Sequence, residues 1–245
     1  MGALDHITFV LVRPQQSGNI GLAARAMANH GIGRLCLVAP TGFDPERARW
    51  MAPKSHHVIN SARICATIEE AVADSIRVVA TTARARNREW PTHSPEGFGE
   101  MVAANPVSTA VLFGPEDSGL SNEDLRVVES LLHFPTTDVR SLNLGQAVTS
   151  TAVALAMGAR ESSTGGAPPP QATAGRRTEV IERCVEALTD VGYLDGRSSL
   201  VVSNTLTRIA ARANLTDEEV NNLLGMVKHL RWWIRSREDA STHSE

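Results

Sequence analysis

Four short apolar runs constrain the first 160 residues more than any other feature: Ile7-Thr-Phe-Val-Leu-Val12, Leu35-Cys-Leu-Val38, Ile76-Arg-Val-Val-Ala80 and Ala110-Val-Leu-Phe113. None keeps the apolar and polar alternation of a strand wetted on one side. Such strands must be covered on both faces, as they are in parallel sheets flanked by helices. Helical stretches lie between the runs. Residues 20–30 are Ala-rich with Gly31 as a stop, and Ser121-Asn-Glu-Asp124 reads as a capping box opening a helix through Leu132. The expected class is α/β with a parallel sheet.

The pattern changes once along the chain. Glu161-Ser-Ser-Thr-Gly-Gly-Ala-Pro-Pro-Pro-Gln-Ala-Thr-Ala-Gly175 contains no large apolar residue and has the composition of a solvated tether. Beyond it only helical periodicity is found. Val180, Ile181, Cys184, Val185 and Leu188 form one stripe; Leu200, Val201, Leu206, Ile209 and Ala210 a second; Val220, Leu223, Leu224, Val227 and Leu230 a third. Thr216-Asp-Glu-Glu219 is a further start signal. The expected organisation is an α/β domain over residues 1–160, a linker over 161–178, a small all-α domain over 179–238 and a disordered tail over 239–245.

Composition removes several classes. A net charge of −3 argues against coating nucleic acid by bulk electrostatics, yet 22 of the 24 basic residues are Arg, whose planar fork suits phosphate. Three cysteines, Cys36, Cys65 and Cys184, cannot frame a disulfide scaffold and are expected to be reduced. No apolar stretch is long enough to span a bilayer and the first residues lack the order of a signal peptide, so the expectation is a cytoplasmic protein without a membrane partner. No G-x-G-x-x-G follows a strand and no G-x-x-x-x-G-K-[ST] or G-x-S-x-G occurs, which disfavours nucleotide-dependent oxidoreductases, nucleotide hydrolases and serine hydrolases. The adjacent His56 and His57 cannot share a helix face, and no metal site is expected.

Three polar, Gly-containing segments remain at strand ends. In Ser17-Gly-Asn-Ile-Gly-Leu-Ala-Ala-Arg25 small residues let a helix N-terminus approach an anion, with Arg25 projecting one to two turns further on. Alone, it reads equally as a turn with a solvated Arg. Phe113-Gly-Pro-Glu-Asp-Ser-Gly-Leu-Ser121 is a tight turn with paired acids; Glu116 there could be no more than a helix N-terminal acid. Phe134-Pro135, a short loop and Arg140-Ser-Leu-Asn-Leu-Gly-Gln-Ala147 place polar groups ahead of an Ala-rich helix.

In this order and spacing the segments resemble the three motifs of the SpoU-type RNA 2′-O-ribose methyltransferases of the SPOUT superfamily. Asn19-x-Gly21-x-x-x-Arg25 is similar to motif one, Gly114-Pro-Glu116-x-x-Gly119-Leu120-Ser121 to motif two, and Ser141-Leu142-Asn143 with Ala147 to motif three. Thr81-Thr-Ala-Arg-Ala-Arg86, followed by Trp90-Pro91, narrows the resemblance to the TrmJ type of tRNA (cytidine/uridine-2′-O)-methyltransferases. The likeness continues through Leu188, Gly192-Tyr-Leu-Asp195, Leu206 to Arg212 and Leu215 to Gly225.

The resemblance implies a parallel SPOUT sheet with a C-terminal trefoil knot, a homodimer and S-adenosylmethionine as cofactor. It implies 2′-O-methylation of tRNA, at cytidine or also uridine, with nucleotide 32 of the anticodon loop as target. The alternatives are ribosomal RNA as substrate and a non-catalytic RNA-binding module. Carried over residue by residue, it assigns Arg25, Ser141, Asn19, Glu116 and Asn143 to catalysis. Thr81, Thr82, Ala83, Gly114, Phe134, Ser141 and Leu142 fall to the cofactor, and Arg25, Arg84, Arg86 and Arg88 to RNA. A guanidinium stays protonated, so Arg25 suits a phosphate clamp better than a base. Gly114 is expected where backbone must approach adenosine. In the C-terminal helices, Arg231, Arg235 and Arg237 beside Trp232 and Trp233 suit RNA stacking or dimer support, or equally a packed core with a solvated basic turn.

Overall fold

The computed structural model describes residues 2–82, 90–136, 142–161 and 171–242, with side chains except those of residues 161 and 237–242. The chain divides into two compact units, Met1–Pro168 and Pro169–Glu245.

In the first unit the order is β1 (Ile7–Val12), α1 (Ser17–Asn29), β2 (Arg34–Val38), α2 (Pro45–Trp50), α3 (His56–Asn60), β3 (Arg63–Cys65) and α4 (Ile68–Val72). Next come β4 (Arg77–Thr82), β5 (Thr92–His93), α5 (Pro95–Ala104), β6 (Thr109–Phe113), a 3-10 turn (Asp124–Val127), β7 (Ser130–His133) and α6 (Leu144–Glu161). The seven strands form one parallel sheet in the order β3-β2-β1-β6-β4-β7-β5. Its centre is where the sequence is most apolar: Ile7, Phe9, Val10, Leu11 and Val12 are all fully buried. Ile7, Phe9 and Leu11 share a cluster with Ile20 and Met27 of α1, Phe98 of α5 and Val148 and Leu155 of α6. Phe9 and Phe113 meet with ring centroids 5.1 Å apart and tilted by 57°, a geometry that adds about 1 kcal/mol to their burial.

Strand order departs from chain order at one informative place. β4 lies between β6 and β7, both of which come after it in sequence. The connections implied to tie the trefoil knot include residues 83–89 and 137–141, which lie outside the described residues.

Local signals misled in two respects. The Ser121 capping box forms, with Asp124 N–H donating to Ser121 Oγ at 3.2 Å and Ser121 N–H to Asp124 Oδ2 at 2.7 Å. Yet the chain makes only one 3-10 turn before β7, because Leu131 and Leu132 are buried and their backbone pairs with β4. A helix start signal fixes one turn; burial decides how the chain continues. β3, β5 and β7 were not legible either, since two to four residues cannot display a period.

The second unit holds α7 (Ala174–Asp190), α8 (Ser199–Ala213) and α9 (Asp217–Thr242). Helix and bridge extend into the stretch read as linker: Gln171 pairs with Thr216, Thr173 Oγ1 caps α7, and Ala172, Ala174 and Arg177 are buried. Small residues there allow close packing, which composition alone cannot tell from solvation. α9 likewise runs to Thr242, beyond the expected start of the tail. Thr216 and Glu219 form a reciprocal cap at the start of α9. The core is small, comprising Ala172, Val180, Ile181, Ala210 and Val220. Leu200, Val201 and Ile209, expected inside, are exposed instead.

Candidate active site

Three connections converge at the carboxyl ends of the strands, those after β1, β6 and β7. β1 ends at Val12, and α1 begins five residues later, after Gln16, whose side chain makes no capping hydrogen bond. The start of α1 is tied to the chain ahead of α2, with Ser17 Oγ accepting the Asp44 N–H at 2.9 Å, and Asn19 is buried. Gly21 lets α1 approach α2, since a Cβ there would stand 2.1 Å from the Ala48 carbonyl oxygen. This glycine is needed for helix packing.

Asn19 lies within a directed chain of hydrogen bonds. Its Nδ2 donates to Glu116 Oε1 at 2.8 Å, and its Oδ1 accepts from Asn143 Nδ2 at 3.4 Å. A carboxylate only accepts, so Glu116 fixes which way the Asn19 amide faces, and Asn19 in turn orients Asn143. Glu116 Oε2 accepts the Gln15 N–H at 3.3 Å, so this acid ties the first and second segments together and is not merely a helix-terminal charge. Gln15 Nε2 donates to Asp117 at 2.9 Å; that bond and one from Ser118 hold the Asp117 carboxyl below its ordinary range. Asn143 also caps α6, its Oδ1 accepting the Gly145 N–H at 2.8 Å while Gln146 Oε1 accepts the Asn143 N–H at 3.1 Å.

A pocket opens beyond the carboxyl ends of β4, β6 and β7, where parallel sheets bind ligands. Thr81, Thr82, Phe113 and Gly114 line it from the strand ends, Pro115 to Leu120 and Leu125 from the adjoining turn, and Phe134, Thr136, Leu142, Leu144 and Ala147 from the third segment. Thr81 Oγ1 donates to the Leu112 carbonyl at 3.1 Å. The turn itself requires glycine at position 114. A Cβ there would meet the backbone of Gly119 and Leu120 at 2.4–2.5 Å, so Gly114 allows the turn to fold onto itself.

Arg25 stands elsewhere, exposed on α1 and without a hydrogen-bond or ion-pair partner among the described residues. It lines an open groove with Leu22, Asn29, Asn143, Gly145, Gln146 and Thr149. Residues 142–145 are therefore a wall shared by two clefts: Leu142 and Leu144 face the pocket, Asn143 and Gly145 the groove. Ser141, Ala83, Arg84, Arg86, Arg88 and Arg140 lie outside the described residues. Trp90, just past that Arg-bearing segment, is anchored by Nε1 donating to the Val128 carbonyl at 3.2 Å.

The profile of the SpoU rRNA methylase family matches residues 6–155, which include the sheet, the shared wall and every described motif residue. The chain belongs to the SpoU methylase family. It is 32% identical over 240 residues to the tRNA (cytidine/uridine/adenosine-2′-O-)-methyltransferase TrmJ of Pseudomonas aeruginosa, covering 91% of this chain and 93% of that one. To the tRNA (cytidine/uridine-2′-O-)-methyltransferase TrmJ of Photorhabdus laumondii it is 32% identical over 241 residues, covering 95% and 99%. Among solved structures, TrmJ from Z. mobilis superposes with a TM-score of 0.81 at 32% identity, over 91% of this chain and 98% of that one. The similarity of this SpoU methylase to TrmJ proteins thus extends past the family profile into the helical unit.

Arg13 and Gln15 carry no signal of their role in the sequence, and Asp124, legible as part of a cap, gives no sign of its pairing with Arg13. None belongs to the three motifs. Arg13 and Asp124 are 111 positions apart, and nothing local to either announces the other. In the helical unit Arg231 is committed to Glu186 and Asp190 of α7, with its Nε 2.7 Å from Asp190. It ties helices together and is not free for RNA. Trp232 is 63% exposed and stacked on His229, and Trp233 is 46% exposed, which removes the packed-core alternative for both.

Proposed function

We propose that the protein transfers a methyl group from S-adenosylmethionine to a ribose 2′-hydroxyl of tRNA. The shared wall carries this reading: one segment separates a pocket with apolar groups at strand ends from a groove holding a guanidinium, that of Arg25, unpaired among the described residues. The pocket suits an adenosine-bearing ligand, offering Phe134, Leu142 and Leu144 as apolar surface and the 114–120 backbone as hydrogen-bonding surface. The bound cofactor would supply an electrophilic sulfonium methyl; the protein's task is orientation and acceptance of a proton. Arg25 would clamp the target phosphate with its fork, and Asn19, Glu116 and Asn143 hold the wall between donor and acceptor. Ser141 is assigned to the same chemistry by the family motif, as are Ala83 to the cofactor and Arg84, Arg86 and Arg88 to RNA. TrmJ relatives matching both units favour tRNA, and the finer expectation is cytidine, or also uridine, at nucleotide 32. We further propose a homodimer acting in the cytoplasm.

The test is direct. Purified protein, S-adenosylmethionine and unmodified tRNA should yield a 2′-O-methyl group that maps to the anticodon loop, and RNA from a deletion strain should lack it. Methylation of ribosomal RNA with none on tRNA would overturn the substrate, and absence of transfer to any RNA would overturn the enzymatic reading.

A further inference from the structure

The ion pair between Arg13 and Asp124 lies outside the motifs, yet it fastens the end of β1 to the turn between Leu120 and Leu125, both of which line the pocket. Arg13 comes directly after β1 with φ of 46°, a conformation that residues bearing a Cβ seldom adopt. Its N–H donates to the Val38 carbonyl at 2.8 Å, holding the backbone in that turn. The guanidinium then grips both oxygens of Asp124, Nη1 to Oδ1 at 3.0 Å and Nη2 to Oδ2 at 2.6 Å. Only 7% of the Asp124 side chain is exposed, against 43% for Arg13. A buried carboxylate that lost this partner would be left charged and poorly solvated, so the pair resists opening. Burial alone would raise the Asp124 carboxyl; the bonds from Arg13 and Ser121 hold it below its ordinary range.

The pair holds a specific part of the pocket. Asp124 Oδ2 also accepts the Ser121 N–H, closing the 121–124 turn, and the residues on either side of that turn, Leu120 and Leu125, line the pocket. Gln15, two residues after Arg13, holds Glu116 and Asp117 at the other end of the same strip. The end of β1 is thus fastened to the pocket wall at both margins.

We propose that Arg13 is a positioning residue: with Asp124 it forms a latch that fixes the 119–125 wall of the pocket and so sets its affinity for S-adenosylmethionine. The latch presupposes the cofactor assignment proposed for that pocket. It predicts a defect in cofactor binding that spares RNA binding, because neither residue lines the Arg25 groove.

Calorimetric titration of S-adenosylmethionine into the full-length protein tests it, using Arg13→Gln, Asp124→Asn, the double variant and Arg13→Lys. Melting temperature and cofactor-free tRNA affinity are measured alongside. Each single variant should bind the cofactor about tenfold more weakly, and the double variant no worse than the weaker single, as residues acting as one unit do. Arg13→Lys keeps the charge without the fork and should fall between, at about threefold. The tRNA affinity should stay within about twofold of wild type. Unchanged cofactor affinity in the variants overturns the latch, and so does an equal loss of cofactor and tRNA binding accompanied by a collapsed melting temperature. If Arg13→Gln fails to fold, the Lys variant decides, and undiminished binding by it overturns the proposal. A wild-type protein that binds no S-adenosylmethionine would instead refute the cofactor assignment itself.

Discussion

Among the described residues, Arg25 has no partner where most arginines have one. Because it is exposed and unpaired among the described residues, its replacement should leave the melting temperature unchanged. Arg25→Lys keeps the charge but loses the two-pronged grip, so turnover on tRNA should fall about 100-fold while calorimetric cofactor affinity stays at wild-type level. A near-wild-type rate for Lys with loss only for Ala would reduce its role to charge. Two histidines carry a different prediction. Burial, then repulsion from Arg77 and Arg34 at His6 and from Arg77 at His93, holds both imidazoles below their ordinary range. The unfolded chain therefore takes up protons first as pH falls, so stability is complete above about pH 6.5 and declines below it. Thermal melts should show a plateau from about pH 7 to 8 and a fall toward about pH 5. Asp124, held low by Arg13, should steepen the loss once pH drops below about 4. Gln at both His positions should flatten the first decline, and an unchanged slope would contradict the assignment.

Among the elements, the site depends on where helices begin and how closely they pack. Asn143 is at once the cap of α6 and the end of the hydrogen-bond chain through Asn19 to Glu116. Asn143→Ala should cost about 1 kcal/mol from the cap alone, and turnover should fall further than that destabilisation explains, because Asn19 loses its donor. Asn143→Asp can still cap through its oxygen but cannot donate to Asn19, so it should restore most of the melting temperature without restoring the rate. Gly21 makes a simpler case. Ala at this position must push α1 away from α2, with an expected loss of about 1–3 kcal/mol in denaturant unfolding. If Gly21→Ala were as stable as wild type, close approach would not be what requires glycine there.

For the protein in its entirety, the small helical core and the apolar surface on both units bear on assembly. Leu22 of α1 and Val153 and Met157 of α6 are exposed in the first unit, and Val201, Met226, Leu230 and Trp232 in the second. Where such side chains lie together they mark interaction surfaces, and closed two-fold dimers are the commonest oligomers. Light scattering should report about twice 26.3 kDa; a monomer fully active at nanomolar concentration would defeat the dimer. Truncation after residue 161 should retain S-adenosylmethionine binding, since every described pocket residue precedes it, while tRNA methylation falls sharply. Undiminished turnover would refute a substrate or assembly role for the helices.

The class of fold and the three segments that come together at the pocket and groove were legible in the order of residues alone. Four buried strands announce themselves because covering both faces demands unbroken apolar runs, and the three polar segments stand out because glycine, acids and amides interrupt them. Three helices of the second unit are equally legible in their periodicity, although which stripes are buried is not: Ala210 is covered while Val201 and Ile209 on the same helix are exposed. Long-range packing was needed to place Leu131 and Leu132 in a strand, since pairing with β4 overrides a correctly formed cap. It was needed equally to show that Gly114 is required by its own turn, that Arg231 is bound to α7, and that Arg13 meets Asp124. These outcomes share one cause. Periodicity and capping report interactions within a few residues, whereas a contact 111 positions away depends on the order in which strands assemble, and no local pattern encodes that order.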